Sequence, residues 1–237
     1  MPLLLDRLRP HWGGRGFLRR FLQRLEVDCV LDVGANVGQY AEKLRLIGYE
    51  GLIVSFEPDP APYRELAKKA DSDPKWHALD IALGRAAGEE NFNIMARSDF
   101  NSFRTPTSDD THSFDAMNVI VDTVTVQVST VTEVLAELQR AHGFRHPYLK
   151  MDTQGSDLEV FEGAAGALDR IVGIQSEVAV KRIYEGMPDW REAVARYERS
   201  GFELAGLFSV TPWEDELVEL DCFLVNKNLA KPAGAAR

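Results

Sequence analysis

The chain is poor in cysteine: Cys29 and Cys222 are the only two in 237 residues, and they are far apart in sequence. That excludes a disulfide framework, a cysteine metal knuckle and a C-x-x-C redox pair. Both thiols fall in apolar, strand-like runs, where cysteine serves as a small buried hydrophobe, and a reducing compartment is the expectation. No apolar run approaches the roughly 20 residues needed to span a bilayer, and Leu3-Leu4-Leu5 is too short for a signal-peptide core. A soluble, cytoplasmic protein is therefore expected. Positive charge is also scarce: 27 Lys and Arg stand against 37 Asp and Glu, a formal net charge of −10. Such a surface repels a phosphate backbone, so nucleic acid is not an expected partner. The chain has no G-x-S-x-G elbow and no P-loop, which removes the simplest hydrolase and nucleotide-hydrolysing readings. His77, His112, His142 and His146 show no metal-ligand spacing.

What is present is enough apolar material for a sizeable core, with 45% hydrophobic and 27% charged residues and no Pro/Gly/Ser-rich linker. The organisation expected is an amphipathic helical segment over 1–27, one α/β domain over 28–228 and a loose tail over 229–237. In the first segment Phe17, Leu18, Phe21, Leu22 and Leu25 recur at helical spacing opposite Arg15, Arg19, Arg20 and Arg24. The favoured reading is a helix packed on the domain and walling the ligand pocket; docking on an anionic membrane surface is the alternative.

The most informative stretch is Cys29-Val-Leu-Asp-Val-Gly-Ala-Asn-Val-Gly-Gln-Tyr40, an apolar strand followed by a glycine-bearing turn and a helix start. Gly34 and Gly38 permit a sharp turn close to a ligand. A dinucleotide fingerprint would place its second glycine where this chain has Asn36, which disfavours a pyrophosphate pressed on the backbone. A ligand with an amino acid group fits better, and Asp32 at the strand end could hold its ammonium. S-adenosylmethionine has such a group. About 20 residues on, the strand Gly51–Phe56 ends in Glu57-Pro58, a carboxylate placed to accept both ribose hydroxyls. Asp32, Glu57, Asp80, Asp152 and Glu177 all stand at carboxyl ends of predicted strands. There Asp80 would accept from an adenine amino group while Ile81 packs on the ring. Lys150, on the face of its strand shared with Asp152, pairs with a neighbouring acid or orients it.

Periodicity predicts helices over 37–47, 60–70, 130–143, 156 onward and 188–200, with Thr130-x-x-Glu133 and Ser156-x-x-Glu159 as capping boxes. Strands are predicted over 51–57, 76–83, 88–94, 147–152 and 171–178, with two short ones within 117–129. The polar stretch 96–115 is long enough to require a reason, and a substrate lid is one. The final strands, 203–210 and 218–226, have no helix between them and form an antiparallel hairpin at the sheet edge.

The chain resembles the FkbM family of S-adenosylmethionine-dependent methyltransferases. The resemblance lies in Leu31-Asp-Val-Gly-Ala-Asn-Val-Gly38, Phe56-Glu-Pro58, Ala82-Leu-Gly84 and Leu149-Lys-Met-Asp-Thr-Gln-Gly-Ser-Asp-Leu-Glu-Val-Phe-Glu-Gly163. It continues through Glu177, Ile183-Tyr-Glu-Gly186 and Gly201-Phe202, so it covers nearly everything from 28 to about 226. The resemblance implies a Rossmann-like α/β fold, a seven-stranded class I methyltransferase sheet with helices on both faces and a C-terminal antiparallel hairpin. It also implies methyl transfer to oxygen on sugars or hydroxylated natural products. Asp80 stands where family members often have asparagine, and Asn101-Ser102-Phe103 is similar to an Asn/Ser stretch near the cofactor. The expected cofactor set is thus Asp32, Gly34, Ala35, Asn36, Gly38, Glu57, Pro58, Asp80, Ile81, Asn101, Ser102 and Asp152.

An unactivated hydroxyl needs help to lose its proton, from a carboxylate or from a metal-bound alkoxide. Asp152 and Glu177 are the candidates, as base and orienter or as ligands for Mg²⁺; His112, in the polar loop, is a weaker catalytic candidate. The expected partner is a hydroxylated small-molecule or glycan acceptor. Two other readings compete: a non-catalytic cofactor-binding scaffold, against which the intact Asp32, Gly34, Gly38 and Glu57 argue, and a nicotinamide-dependent oxidoreductase, which Asn36 disfavours.

Overall fold

The computed structural model describes residues 14–210 and 216–229. A seven-stranded sheet forms its centre, built from β1 (Cys29–Val33), β2 (Leu52–Phe56), β3 (Trp76–Leu79), β7 (Pro147–Met151), β8 (Gly173–Ala179), β9 (Phe202–Ser209) and β10 (Glu219–Asn226). Their order is β3-β2-β1-β7-β8-β10-β9. The first five in that order run parallel, whereas β10 pairs antiparallel with both β8 and β9. The expected C-terminal hairpin is present, with its second strand inserted beside β8 and its first strand at the edge. A three-stranded sheet lies apart, order β4-β6-β5, from β4 (Ala82–Leu83), β5 (Gly88–Met95) and β6 (Ile120–Ser129).

Every residue of β1 and of β7 is buried, because helices cover both faces of the sheet. On one face Leu31, Leu149 and Ile174 pack against α4 (Val131–His142), α5 (Asp157–Gly163) and α6 (Trp190–Arg199). On the other, Val30, Ile53 and Tyr148 pack against α1 (Gly14–Arg24), α2 (Gln39–Leu46) and α3 (Pro60–Ala70). Alternation along the strand sends Val30 and Asp32 to the second face and Leu31 and Val33 to the first.

Local chemistry explains several helix limits. α3 spans the predicted residues, with Asp59 accepting from the Ala61 amide and Pro60 at the first helical position. α4 starts after Thr130, whose hydroxyl accepts from the Glu133 amide, and stops at Gly143 in the left-handed region, φ 72°. α2 begins two residues later than expected, since Gly38 has φ 86°, which no helical residue adopts. α6 likewise starts at Trp190, where Asp189 accepts from the Arg191 and Glu192 amides. The capping box expected at Ser156 is not formed: its side chain makes no cap bond, and Asp157 anchors that helix start by accepting from Thr153.

Two strand expectations are corrected. The run 76–83 is two strands in different sheets, and 117–129 holds one strand rather than two. The segment between β5 and β6 is not a bare loop. Its ends are tied by Ala96 and Arg97 amides donating to Val119 and Met117 carbonyls, and Phe100, Phe114 and Met117 pack with Met95, Ile183, Tyr184 and Met187.

The apolar side of α1 is fully engaged. Leu18 is 0% exposed, and the Phe17 ring lies 4.9 Å from Phe208 and 5.1 Å from Phe223. This helix packs on the face opposite α4 to α6, and among the described residues of the N-terminal segment none lines the central cavity described below, so this part of the segment does not wall the pocket as expected. Residues 1–13 of that segment lie outside the described residues. Among the described residues no helix is long and apolar enough to cross a membrane. Leu18→Ala should lower unfolding stability in urea by about 2–5 kcal/mol, the usual cost of a buried leucine cavity; an unchanged midpoint would mean that α1 does not hold the sheet.

Candidate functional site

The order β2-β1-β7 reverses chain direction of travel at β1, and ligands of open α/β sheets bind at such a point, beyond the carboxyl strand ends. A cavity of about 410 Å³ opens there, within the size range of small-molecule sites. Its lower wall is the loop after β1. The Gly34 and Ala35 amides both donate to the Phe56 carbonyl, at 3.1 and 3.0 Å, which folds the loop against the end of β2. Gly34 has φ 72°, and a Cβ there would lie 1.9 Å from the Asp152 carbonyl oxygen, so only glycine lets the β1 and β7 loops meet. Asn36 also has positive φ, 47°, which asparagine tolerates better than most residues.

Glu57 is 5% exposed and lines this cavity. Its two oxygens accept from the amides of Asn36 at 2.8 Å and Asp59 at 2.9 Å. Burial pushes its carboxyl up to about 7 despite these two donors. The Asn36 side chain reaches the roof, donating to Ser98 Oγ at 3.0 Å. The roof comes from the segment between β5 and β6, with Ser98, Phe100, Asn101, Phe103, Phe114 and Met117.

Asp32 takes a different part from the one expected. It is 0% exposed and absent from the cavity lining, with Lys150 Nζ at 2.9 Å from Oδ1 and the Ser55 hydroxyl donating to Oδ2 at 3.1 Å. Ser55 in turn accepts from the Trp76 indole at 3.0 Å. Lys150 also donates to the Gly34 carbonyl at 3.2 Å and lies 3.5 Å from Asp152. Burial alone would lower its pKa, but Asp32 and Asp152 outweigh it and hold the ammonium charged.

Above this pair the cavity floor is acidic. Asp152, Glu177 and Glu219 all line it, and Gln154 binds two of them, donating through Nε2 to Asp152 at 3.2 Å and to Glu177 at 3.0 Å. Gln154 has φ 51°, a strained conformation held by Ser102 Oγ donating to its carbonyl at 2.7 Å and by the Tyr184 hydroxyl at 3.1 Å from its Oε1. Burial, then repulsion from Glu219 and Asp152, raises the Glu177 carboxyl well above its ordinary value. Burial and the neighbouring Asp152 push Glu219 up to about 8. Below them Asp157 accepts from Thr153, Ser176 and the Glu177 amide, fixing the β7 turn to β8.

Of the residues singled out from sequence, the structure brings Gly34, Asn36, Glu57, Pro58, Asn101, Asp152 and Glu177 to this one cavity. Ala35, Gly38 and Ser102 support its walls from behind. A Cβ on Gly38 would lie 2.8 Å from the Trp76 ring and 2.9 Å from Leu66, and Asn101 is held by donating to Asp59 at 2.8 Å. Asp80 is exposed and Ile81 packs toward the α4–α6 core, so neither lines the cavity. His112 is displaced from it as well: it is exposed and paired to Asp115 at 2.8 Å. Among the described residues no group of three or more His, Cys, Asp or Glu side chains is arranged to hold a metal, and the Gln154 amide already fills the gap between Asp152 and Glu177. The expected Mg²⁺ option therefore finds no ready donor set. Sequence reading missed Glu219 and Gln154. An acid pair within the apolar run Val218-Glu-Leu-Asp-Cys-Phe223 was the signal for the first.

The family model described as "Methyltransferase FkbM domain" matches residues 32–204. Among solved structures, the chain is similar to magnesium protoporphyrin IX methyltransferase from Synechocystis PCC 6803 with bound S-adenosylmethionine. That match has 11% identity and TM-score 0.48 and covers 93% of this chain and 90% of that one. It is also similar to an S-adenosylmethionine-dependent methyltransferase from Aquifex aeolicus, at 10% identity and TM-score 0.45, covering 95% and 98%. A third likeness is to the fibrillarin pre-rRNA processing protein of Methanococcus jannaschii, at 10% identity and TM-score 0.47, covering 85% and 67%. No curated protein matches the sequence.

The raised Glu219 carboxyl has a stability consequence with a definite sign. Its folded pKa of about 8 exceeds the ordinary 4.5, so the folded state holds a proton that the unfolded chain releases. The stability it contributes is full below the ordinary value and is lost as pH rises toward 8. Glu219→Gln, which cannot ionise, should flatten the fall in melting temperature between pH 5 and pH 8. A variant whose pH profile overlays that of the parent protein would show that Glu219 carries its charge at no cost.

Proposed function

The chain belongs to the FkbM methyltransferase family, and from that premise we propose that it uses S-adenosylmethionine to methylate a hydroxyl group of a sugar, glycolipid or glycosylated natural product. The observation that carries this reading is the juxtaposition, in one cavity, of the Gly34–Asn36–Glu57 cradle and the Asp152–Glu177–Glu219 carboxylate cluster. The first suits a ligand with an amino acid end and a ribose diol. The second suits an acceptor that must lose a proton.

When bound, S-adenosylmethionine supplies an electrophilic methyl carbon on a cationic sulfur. Glu57 has lone pairs left after its two backbone donors, enough to accept from ribose hydroxyls. Ammonium recognition does not fall to Asp32, whose charge is committed to Lys150; Asp152, 39% exposed at the mouth of β7, is the carboxylate available on that side. As the floor carboxylates ionise, their charge also favours a sulfonium over the neutral product. An acceptor hydroxyl placed over Glu177 or Asp152 can hand its proton to a carboxylate. The raised pKa of Glu177 makes it the stronger base once ionised. Turnover should therefore rise with pH as the cluster sheds its proton. Gln154 orients both carboxylates, and the Phe100, Phe114 and Met117 roof excludes water from the transfer. The buried, free Cys29 and Cys222 accord with a reducing, cytoplasmic setting, and the acidic floor with an acceptor other than nucleic acid.

Calorimetry should show binding of S-adenosylmethionine and of its demethylated product but not of NAD, and Glu57→Ala should weaken that binding by about 1–3 kcal/mol. Tight NAD binding with no response to S-adenosylmethionine would overturn the cofactor assignment. Labelled methyl transfer to a panel of sugars and glycosides tests the reaction. Glu177→Gln and Asp152→Asn should each keep the fold, and at least one should lower turnover by roughly 10²-fold or more. Near-normal turnover in both would remove the carboxylate cluster from proton transfer.

A further inference from the structure

A second cavity, of about 380 Å³, adjoins the first, and the Phe114 side chain belongs to the lining of both. Its other walls include Ser108, Asp115, Asn118, Ile120 and Ile183. The segment that carries it is fastened to the body of the protein, with the Thr107 amide donating to the Ile183 carbonyl at 3.0 Å and Asn118 Nδ2 donating to the same carbonyl at 3.0 Å. Asn118 is 7% exposed, yet its Oδ1 has no hydrogen-bond partner among the described residues. A buried amide oxygen left without a donor costs free energy, and ligand-binding sites are where such a deficit is made good.

Ser108 and Thr111 spend their hydroxyl protons on Asp115 and Glu216, and Asn118 spends an amide proton on the Ile183 carbonyl, which leaves acceptor atoms facing this cavity. Asp115 already takes the Ser108 hydroxyl at 2.7 Å and His112 at 2.8 Å, and those donors hold its carboxyl below the ordinary value, so it stays negative at neutral pH. Together with the Asn118 oxygen, they call for a ligand that donates hydrogen bonds and carries no negative charge. Phe114, Ile120 and Ile183 supply the apolar surface on which the C–H face of a saturated ring can rest. A sugar ring has both properties.

We propose that this cavity is a second acceptor subsite, which holds the neighbouring hydroxyl-bearing ring of an oligosaccharide or glycoside while the ring to be methylated occupies the first cavity. The inference rests on the reading of the protein as a sugar O-methyltransferase and deepens it: the substrate has at least two rings, and Phe114 stands between them. His112, excluded from the central cavity, then acts on the acceptor side as the residue that orients Asp115.

The test compares labelled methyl transfer to methyl glycosides of single sugars with transfer to the matching disaccharide glycosides, in the intact protein and two variants. Asn118→Leu removes the unpaired oxygen together with the Nδ2 bond to the Ile183 carbonyl, which the Thr107 amide still satisfies, so the second variant reads the cavity without that loss. Ser108→Trp, at an exposed position on the rim, fills the cavity without touching the core. The expected result is a preference of about tenfold or more in kcat/KM for disaccharides. Both variants should lose that preference while keeping the single-sugar rate and the affinity for the demethylated cofactor. Equal kcat/KM for the two acceptor classes, or a preference kept in Ser108→Trp, overturns the subsite and leaves sugar methylation standing. Transfer to none of the sugar probes overturns the acceptor reading itself, and the subsite with it.

Discussion

The buried ammonium of Lys150 is the contact on which the site is assembled. It stands on β7, touches Asp32 on β1 and reaches the carbonyl of Gly34 and the carboxylate of Asp152, so a single charge ties together both loops that bound the cavity. Two isolated charges at this depth would each cost several kcal/mol to desolvate, and they persist because each satisfies the other. Ser55 and Trp76 complete the arrangement by occupying the second oxygen of Asp32. The pair contributes less to stability than to register: a slip of one residue between β1 and β7 would bury the lysine against Leu31 and strand both charges.

That fixed cation has a counterpart in the acids above it. Asp152, Glu177, Glu219 and Asp157 lie within one small region with a single lysine beneath, so the cluster cannot be fully ionised without repulsion. The strain in the Gln154 backbone belongs to the same arrangement, since in that conformation its amide meets two carboxylates at once. Carboxyl groups on the floor and the rings of Phe100, Phe103 and Phe114 in the roof give the cavity walls of opposite polarity.

Much of this was legible in the sequence where the signal is local. The glycine loop, Glu57-Pro58, the cap at Thr130 and the terminal hairpin all write their structure into a few adjacent residues. The site was legible where strand-end carboxylates report the sheet's carboxyl edge, as Asp152 and Glu177 do. What the sequence did not disclose depends on partners distant in the chain. The separation of 76–83 into two sheets follows from β4 pairing with β6, some 46 residues on, and neither segment carries a mark of it. Asp32 could be read as a ligand group because nothing local reveals that Lys150 will reach it first. Glu219 enters the site only because β10 lies against β8, and His112 is paired to Asp115 at the surface rather than to anything in the cavity.

The place of β10 between β8 and β9 also sets an order of events during synthesis. β8 leaves the ribosome about 40 residues before the strand that will cover its edge, and until then it presents unpaired amides and carbonyls beside Ile174 and Val178. Such an edge is a template for pairing with another chain. A nascent polypeptide at that stage already has the β1 loop, Lys150 and Glu57, but it lacks Glu219 and the strand that closes that side of the cavity. The edge of β8 is thus among the last parts of the central sheet to be covered, and the cavity wall that carries Glu219 is completed only when β10 arrives.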